Sequence, residues 1–118
     1  MPFISGTAMI LYGIPTCDTC KAALKALTAA GHEVAFRDVR ADPLSPDEIA
    51  ELVTEFGDAI VNRASTTWRG LSDWLKASDT EEQLAAQPTL MKRPVIRNGD
   101  ALYLGWDARV QAALLTAG

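Results

Sequence analysis

The chain has 118 residues, of which 48% are hydrophobic and 22% charged, and it carries a formal net charge of −4. That length suits one domain with a core of its own, and the composition is that of an ordinary soluble globular protein. The acidic balance excludes a nucleic-acid binder acting by electrostatics alone, and no run approaches the roughly 18 apolar residues of a membrane helix.

Met1 to Ala8 have neither a basic stretch nor a long apolar run, so they do not read as a signal peptide. They are expected to be a disordered extension, with residues 9–118 forming the fold. The cytoplasm is the expected compartment, and there a Cys-x-x-Cys pair is catalytic rather than structural.

Met9-Ile10-Leu11-Tyr12 is an apolar run with the length of a buried strand, broken by Gly13 and Pro15. Helix formers follow from Thr19 through Leu27, with Gly31 as the stop signal. Cys17 therefore falls where a strand turns into a helix, at the positive end of the macrodipole. A thiolate is favoured there, which makes Cys17 the candidate nucleophile. Cys20 lies one turn further on the same face, on a stripe with Leu24 and Leu27 that points it to the core. A bridge between the two would close almost no loop, so redox chemistry explains the pair better than stability does. The alternative is that both cysteines are small core residues. Zinc would need four ligands, and the chain offers two cysteines and one histidine, so no metal is expected. His32 reads as a solvated helix-end residue.

Glu33 to Val39 alternates polar and apolar residues and predicts a second strand, parallel to the first through a right-handed crossover. Ser45-Pro46-Asp47-Glu48 predicts a helix start, with Ser45 as N-cap, Pro46 at the first position and Glu48 closing a capping box. Ile49, Leu52, Val53 and Phe56 give its apolar face, and Gly57 ends it. From Ile60 to Gln87 no strand is predicted. Trp68, Leu71, Trp74 and Leu75 suggest one short amphipathic helix, and Thr80 to Gln87 another, with Thr80 and Gln83 as its capping pair. The tryptophans are expected to be core anchors.

Val95-Ile96-Arg97 and Ala101 to Leu104 read as strands joined by a hairpin at Asn98-Gly99-Asp100. Asp107 then caps a last helix running to about Thr116. The predicted fold is α/β and thioredoxin-like: β-α-β, a helical insert at about 45–90, then β-β-α, forming a small mixed sheet flanked by helices. Pro94, just before the third strand, stands where that fold places a cis-proline beside the active cysteine.

These residues resemble the ArsC/Spx family, and within it the YffB-like branch. The matching stretches are Leu11-Tyr12-Gly13-Ile14, Cys17-Asp18-Thr19, Arg63-Ala64-Ser65-Thr66-Thr67-Trp68-Arg69, Met91-Lys92-Arg93-Pro94 and Leu104-Gly105-Trp106. The resemblance implies that Cys17 is the nucleophile with Arg93 beside it, and that either Cys20 or glutathione resolves the bond formed there. It implies substrate binding by Arg63, Arg93, Pro94, Thr16 and Trp106. Arg63 and Arg93 match two of the three arginines that arsenate-reducing members place around the oxyanion; the third position falls near Gly105-Trp106, where no basic residue stands. The expected function is thus a glutathione-dependent thiol–disulfide reductase, with no tightly bound cofactor, glutathione as co-substrate and glutaredoxin as a partner. Two alternatives follow from the same resemblance: a Spx-like redox-sensing regulator that binds RNA polymerase, and an arsenate reductase.

Overall fold

The computed structural model describes residues 9–115. The segment 1–8, expected to be a disordered extension, and Thr116, expected to end the last helix, lie outside the described residues. The elements run β1 (Met9–Gly13), α1 (Asp18–Ala29), β2 (Val34–Asp38), α2 (Pro46–Phe56), α3 (Thr66–Arg69), α4 (Asp73–Lys76), α5 (Thr80–Ala86), β3 (Val95–Asn98), β4 (Ala101–Leu104) and α6 (Ala108–Leu115). Short 3-10 turns occupy Gly57–Ile60 and Pro88–Leu90. The predicted order of β-α-β, helices, then β-β-α is the one observed, and the fold is α/β and thioredoxin-like. Contacts group the chain into two units, one formed by the segment up to Asp38 with the segment from Arg93 onward, the other by Val39–Lys92.

In the first unit the sheet order among the described residues is β2-β1-β3-β4. β2 pairs with β1 in parallel, with Leu11 opposite Phe36, and β3 pairs antiparallel on the other side, with Leu11 opposite Ile96. Because side chains alternate along a strand, one sheet face carries Met9, Leu11 and Ile96 together. Those three pack with Cys20, Ala23 and Leu27 of α1 and with Val110 and Leu114 of α6. Each fully buried leucine contributes about 1.5–3 kcal/mol, so this cluster fixes α1 on the sheet. On β1 the buried Tyr12 keeps its hydroxyl satisfied by accepting from Arg97 Nε at 3.2 Å.

The hairpin between β3 and β4 pairs Asn98 with Ala101, leaving Gly99-Asp100 as a two-residue loop. Gly99 has φ +63°, a conformation glycine adopts without steric cost. Asp107 caps α6, its Oδ1 accepting from the Val110 N–H at 3.0 Å. His32 departs from expectation: it is half-buried, and its Nε2 lies 2.8 Å from the Leu114 carbonyl. The ring ties the end of α1 to α6 instead of standing in solvent.

In the second unit α2 begins as predicted. Ser45 Oγ accepts from the Glu48 N–H at 3.1 Å and Glu48 Oε1 accepts from the Ser45 N–H at 2.8 Å. Gly57 closes the helix and leads into the first 3-10 turn. The single amphipathic helix expected across Trp68–Leu75 is two one-turn helices. Ser65 caps α3 through the Trp68 N–H, and Ser72, in extended conformation, ends any continuation by capping α4 through the Leu75 N–H. α5 begins at Thr80, but Asp79, not Thr80, is its cap, accepting from the Glu82 N–H at 2.8 Å. Gln83 is 1% exposed, and its Nε2 donates to the carbonyls of Leu75, Lys76 and Ser78. Its Oε1, the atom a capping box would use, finds no hydrogen-bond partner among the described residues, so no box forms with Thr80. Trp74 is 70% exposed, so it is no core anchor, and Trp68 is only half-buried. Where no strand was expected, Val61 and Met91 form an isolated antiparallel bridge. Among the described residues no helix is long and apolar enough to cross a membrane.

Candidate active site

Three backbone features place Cys17. The turn after β1 is closed by the Cys17 N–H donating to the Ile14 carbonyl at 3.0 Å, with Pro15 and Thr16 exposed at its tip. Cys17 is the N-cap of α1, with extended φ −82° and ψ 119°. Its carbonyl accepts from the Lys21 N–H at 3.0 Å, the first bond of the helix. A thiol so held meets the free N–H groups of the first helical turn.

The electrostatics follow from that placement. The Cys17 thiol makes no capping hydrogen bond of its own. Partial burial works against its ionisation, but the N–H of Cys20, the Cys20 thiol, the Arg93 guanidinium and the N–H of Thr19 together outweigh burial and hold its pKa below the ordinary thiol value. Cys20 is fully buried and behaves oppositely. Burial pushes it up to about 11, and the neighbouring Cys17 adds to the shift, while the Ile14 backbone and Arg93 oppose it. Both cysteines are free thiols.

Arg93 and Pro94 enter from the start of β3, joined by a cis peptide bond. Pro94 is buried, and its carbonyl accepts from the Gly105 N–H at 2.8 Å. Gly105 has φ +85°, so its place in this turn favours glycine over any larger residue. Trp106 follows, half-buried against the cluster that includes Cys20 and that Cys17 also borders, with its carbonyl accepting from Gln111 Nε2 at 2.9 Å.

The structure thus brings Cys17, Cys20 and Arg93 within interaction distance, with cis-Pro94 adjoining Arg93. Thr16 is exposed at the tip of the turn before Cys17. Arg63 belongs to the second unit, where its guanidinium lies 5.3 Å from the Trp68 ring centre and 3.8 Å from Asp58 Oδ2. Among the described residues no group of His, Cys, Asp and Glu side chains could hold a metal ion.

Gly13, which the sequence marks as a strand breaker, belongs to the site as well. Gly13 is the last residue of β1, paired with Asp38, and it is buried. A Cβ at this position would overlap Cys20 Sγ. The signal available in the sequence was a glycine inside an apolar strand, which marks a close approach as readily as a break.

The ArsC family model matches residues 12–113, spanning every element from the end of β1 into α6. The chain belongs to the ArsC family. An uncharacterized protein of Haemophilus influenzae is 38% identical over 104 residues, covering 84% of this chain and 91% of that one. A global transcriptional regulator Spx of Listeria innocua is 32% identical over 105 residues, covering 82% of this chain and 79% of the regulator. Among solved structures, the YffB protein superposes with a TM-score of 0.84 at 33% identity, covering 92% of this chain and 100% of that one. The expected resemblance to the ArsC/Spx family, close to its YffB-like branch, therefore holds.

Proposed function

We propose that the chain is a glutathione-dependent thiol–disulfide reductase in which Cys17 is the nucleophile. The observation that supports this most is a half-buried thiol at the N-cap of α1, held below its ordinary pKa with Arg93 beside it. The Cys17 thiolate attacks one sulfur of a substrate disulfide, forming a mixed disulfide and releasing the other sulfur as a thiolate that takes up a proton. Glutathione or Cys20 then attacks the mixed disulfide and frees the second half of the substrate. Arg93 supplies a forked donor for a glutathione carboxylate, with charge-assisted bonds contributing about 1.5–3 kcal/mol each. In this reading Thr16, Pro94 and Trp106 contribute to substrate binding, and Arg63 is a second carboxylate or oxyanion binder. Glutaredoxin is the expected macromolecular partner for returning electrons.

A bare oxyanion such as arsenate needs donors on several sides, and Gly105-Trp106 supplies no basic side chain. Turnover with glutathione, measured in parallel on a glutathione mixed disulfide and on arsenate, tests the reading. Reduction of the mixed disulfide with little arsenate turnover is expected; efficient arsenate reduction, or no turnover of either, overturns it. The 32% identity to Spx favours one other reading, a redox-sensing regulator that binds RNA polymerase. Co-purification with RNA polymerase that depends on the Cys17–Cys20 oxidation state, without turnover, would select it.

A further inference from the structure

β1 ends in a glycine whose backbone does not call for one. Gly31, Gly57, Gly99 and Gly105 have positive φ, and Gly13 does not. It sits in ladder register opposite Asp38, as an ordinary strand residue would. A strand glycine, having no side chain, leaves room for a neighbour at close range. That neighbour is Cys20. A methyl group on Gly13 would overlap Cys20 Sγ and stand 3.3 Å from both Cys20 Cβ and Leu11 Cδ2. Neither neighbour yields easily: Cys20 and Leu11 are both 0% exposed, and a cysteine side chain has one rotor with three staggered positions. The sulfur has its present seat because position 13 has no Cβ.

We propose that Gly13 is a positioning residue: it seats Cys20 Sγ beside Cys17, which makes Cys20 the thiol that resolves a bond formed at Cys17. This rests on the thiol chemistry proposed above and adds the residue that decides between a dithiol and a monothiol course. With glutathione disulfide as oxidant, Cys17 first forms a mixed disulfide and releases one glutathione. The Cys20 thiol then gives up its proton and attacks Cys17 Sγ. The Cys17–Cys20 bond forms, the Cys17–glutathione bond breaks, and the departing thiolate takes up a proton. The two protein thiols are oxidised by two electrons, and glutathione disulfide is reduced to two glutathiones. Only the second step needs Cys20 in place, and a misplacement on the order of 1 Å at a reacting atom slows such a step about 100-fold.

The experiment follows the Cys17–glutathione mixed disulfide by mass spectrometry in the parent and in Gly13→Ala. Release of the second glutathione is expected to slow about 10- to 100-fold in the variant, while the mixed disulfide still forms at Cys17. Melting temperatures give an independent arm. Gly13→Ala should lower the melting temperature of the parent much more than that of Cys20→Ala, where the sulfur is gone and only the 3.3 Å approaches to the Cβ of residue 20 and to Leu11 Cδ2 remain. That arm decides the matter even if Gly13→Ala alone does not fold. Release at the parent's rate in Gly13→Ala, or equal destabilisation in both backgrounds, overturns the positioning role. A parent that holds its mixed disulfide without internal release overturns it too, and leaves the Cys17 chemistry standing. A parent that forms no bond at Cys17 overturns that chemistry itself.

Discussion

Cys17 and Cys20 stand one turn apart on one helix, yet their surroundings push them in opposite directions. Cys17, at the helix end, is held below the ordinary thiol value, whereas Cys20, fully buried, is raised to about 11. The thiolate is the reacting form, so near neutral pH iodoacetamide should label Cys17 well before Cys20. The alkylation rate of Cys17 should also rise with pH through a midpoint below that of a free thiol. Peptide mass spectrometry of partially labelled protein reads both; equal labelling, or activity surviving in Cys17→Ser, would sink the assignment. Arg93 carries a second prediction. Its planar fork can grip a carboxylate with two bonds where an ammonium offers a point charge, so Arg93→Lys should weaken glutathione binding about 10-fold or more. Calorimetric titration decides it, and undiminished binding would remove Arg93 from the site. At this scale the cysteine spacing and the residue before the proline were legible. The space left by Gly13 was not, because only the fold shows which atom lies opposite a missing side chain.

At the scale of elements, legibility followed how much of the signal was local. The start of α2 is written in four consecutive residues, and Ser45 and Glu48 exchange both bonds of the box. Ser45→Ala should therefore destabilise the protein by about 1 kcal/mol, seen as a lower urea midpoint at unchanged slope. A change below a few tenths would mean that α2 is held by packing alone. From Trp68 to Leu75 the apolar spacing is helical, but Ser72 interrupts it. Ser72 offers the helix a competing cap, and a side chain that bonds the backbone locally favours a boundary over continuation. At α5 a long-range partner takes the hydroxyl that the local capping pattern assigns to Thr80. Thr80 Oγ1 donates to Asp58 Oδ1 at 2.7 Å and Gln83 turns inward, which leaves Asp79 as the cap. His32 is the same case, since Leu114 is far away in sequence and nothing local signals it.

For the molecule as a whole, the two thiols couple chemistry to folding in a way that pH can separate. A group whose pKa is raised by folding stabilises the native state below its unfolded value and loses that contribution as pH rises to the folded value. For Cys20 that window runs from the ordinary 9.0 to about 11. At about 1.4 kcal/mol per pKa unit, the loss across it is about 2–3 kcal/mol. Cys17 acts with the opposite sign, because a lowered pKa adds stability as pH rises toward the ordinary thiol value, and it adds nothing further above that. Between pH 9 and 11 the net contribution of the pair therefore falls. The parent alone cannot separate this contribution from that of the rest of the chain. Cys20→Ala removes the buried thiol and leaves every other ionisable side chain in place. Under reducing conditions the melting temperature of the parent should drop more steeply from pH 9 to 11 than that of Cys20→Ala. Parallel curves would mean that Cys20 ionises as easily in the fold as out of it, which its burial against Gly13, Ala23 and Leu27 does not allow.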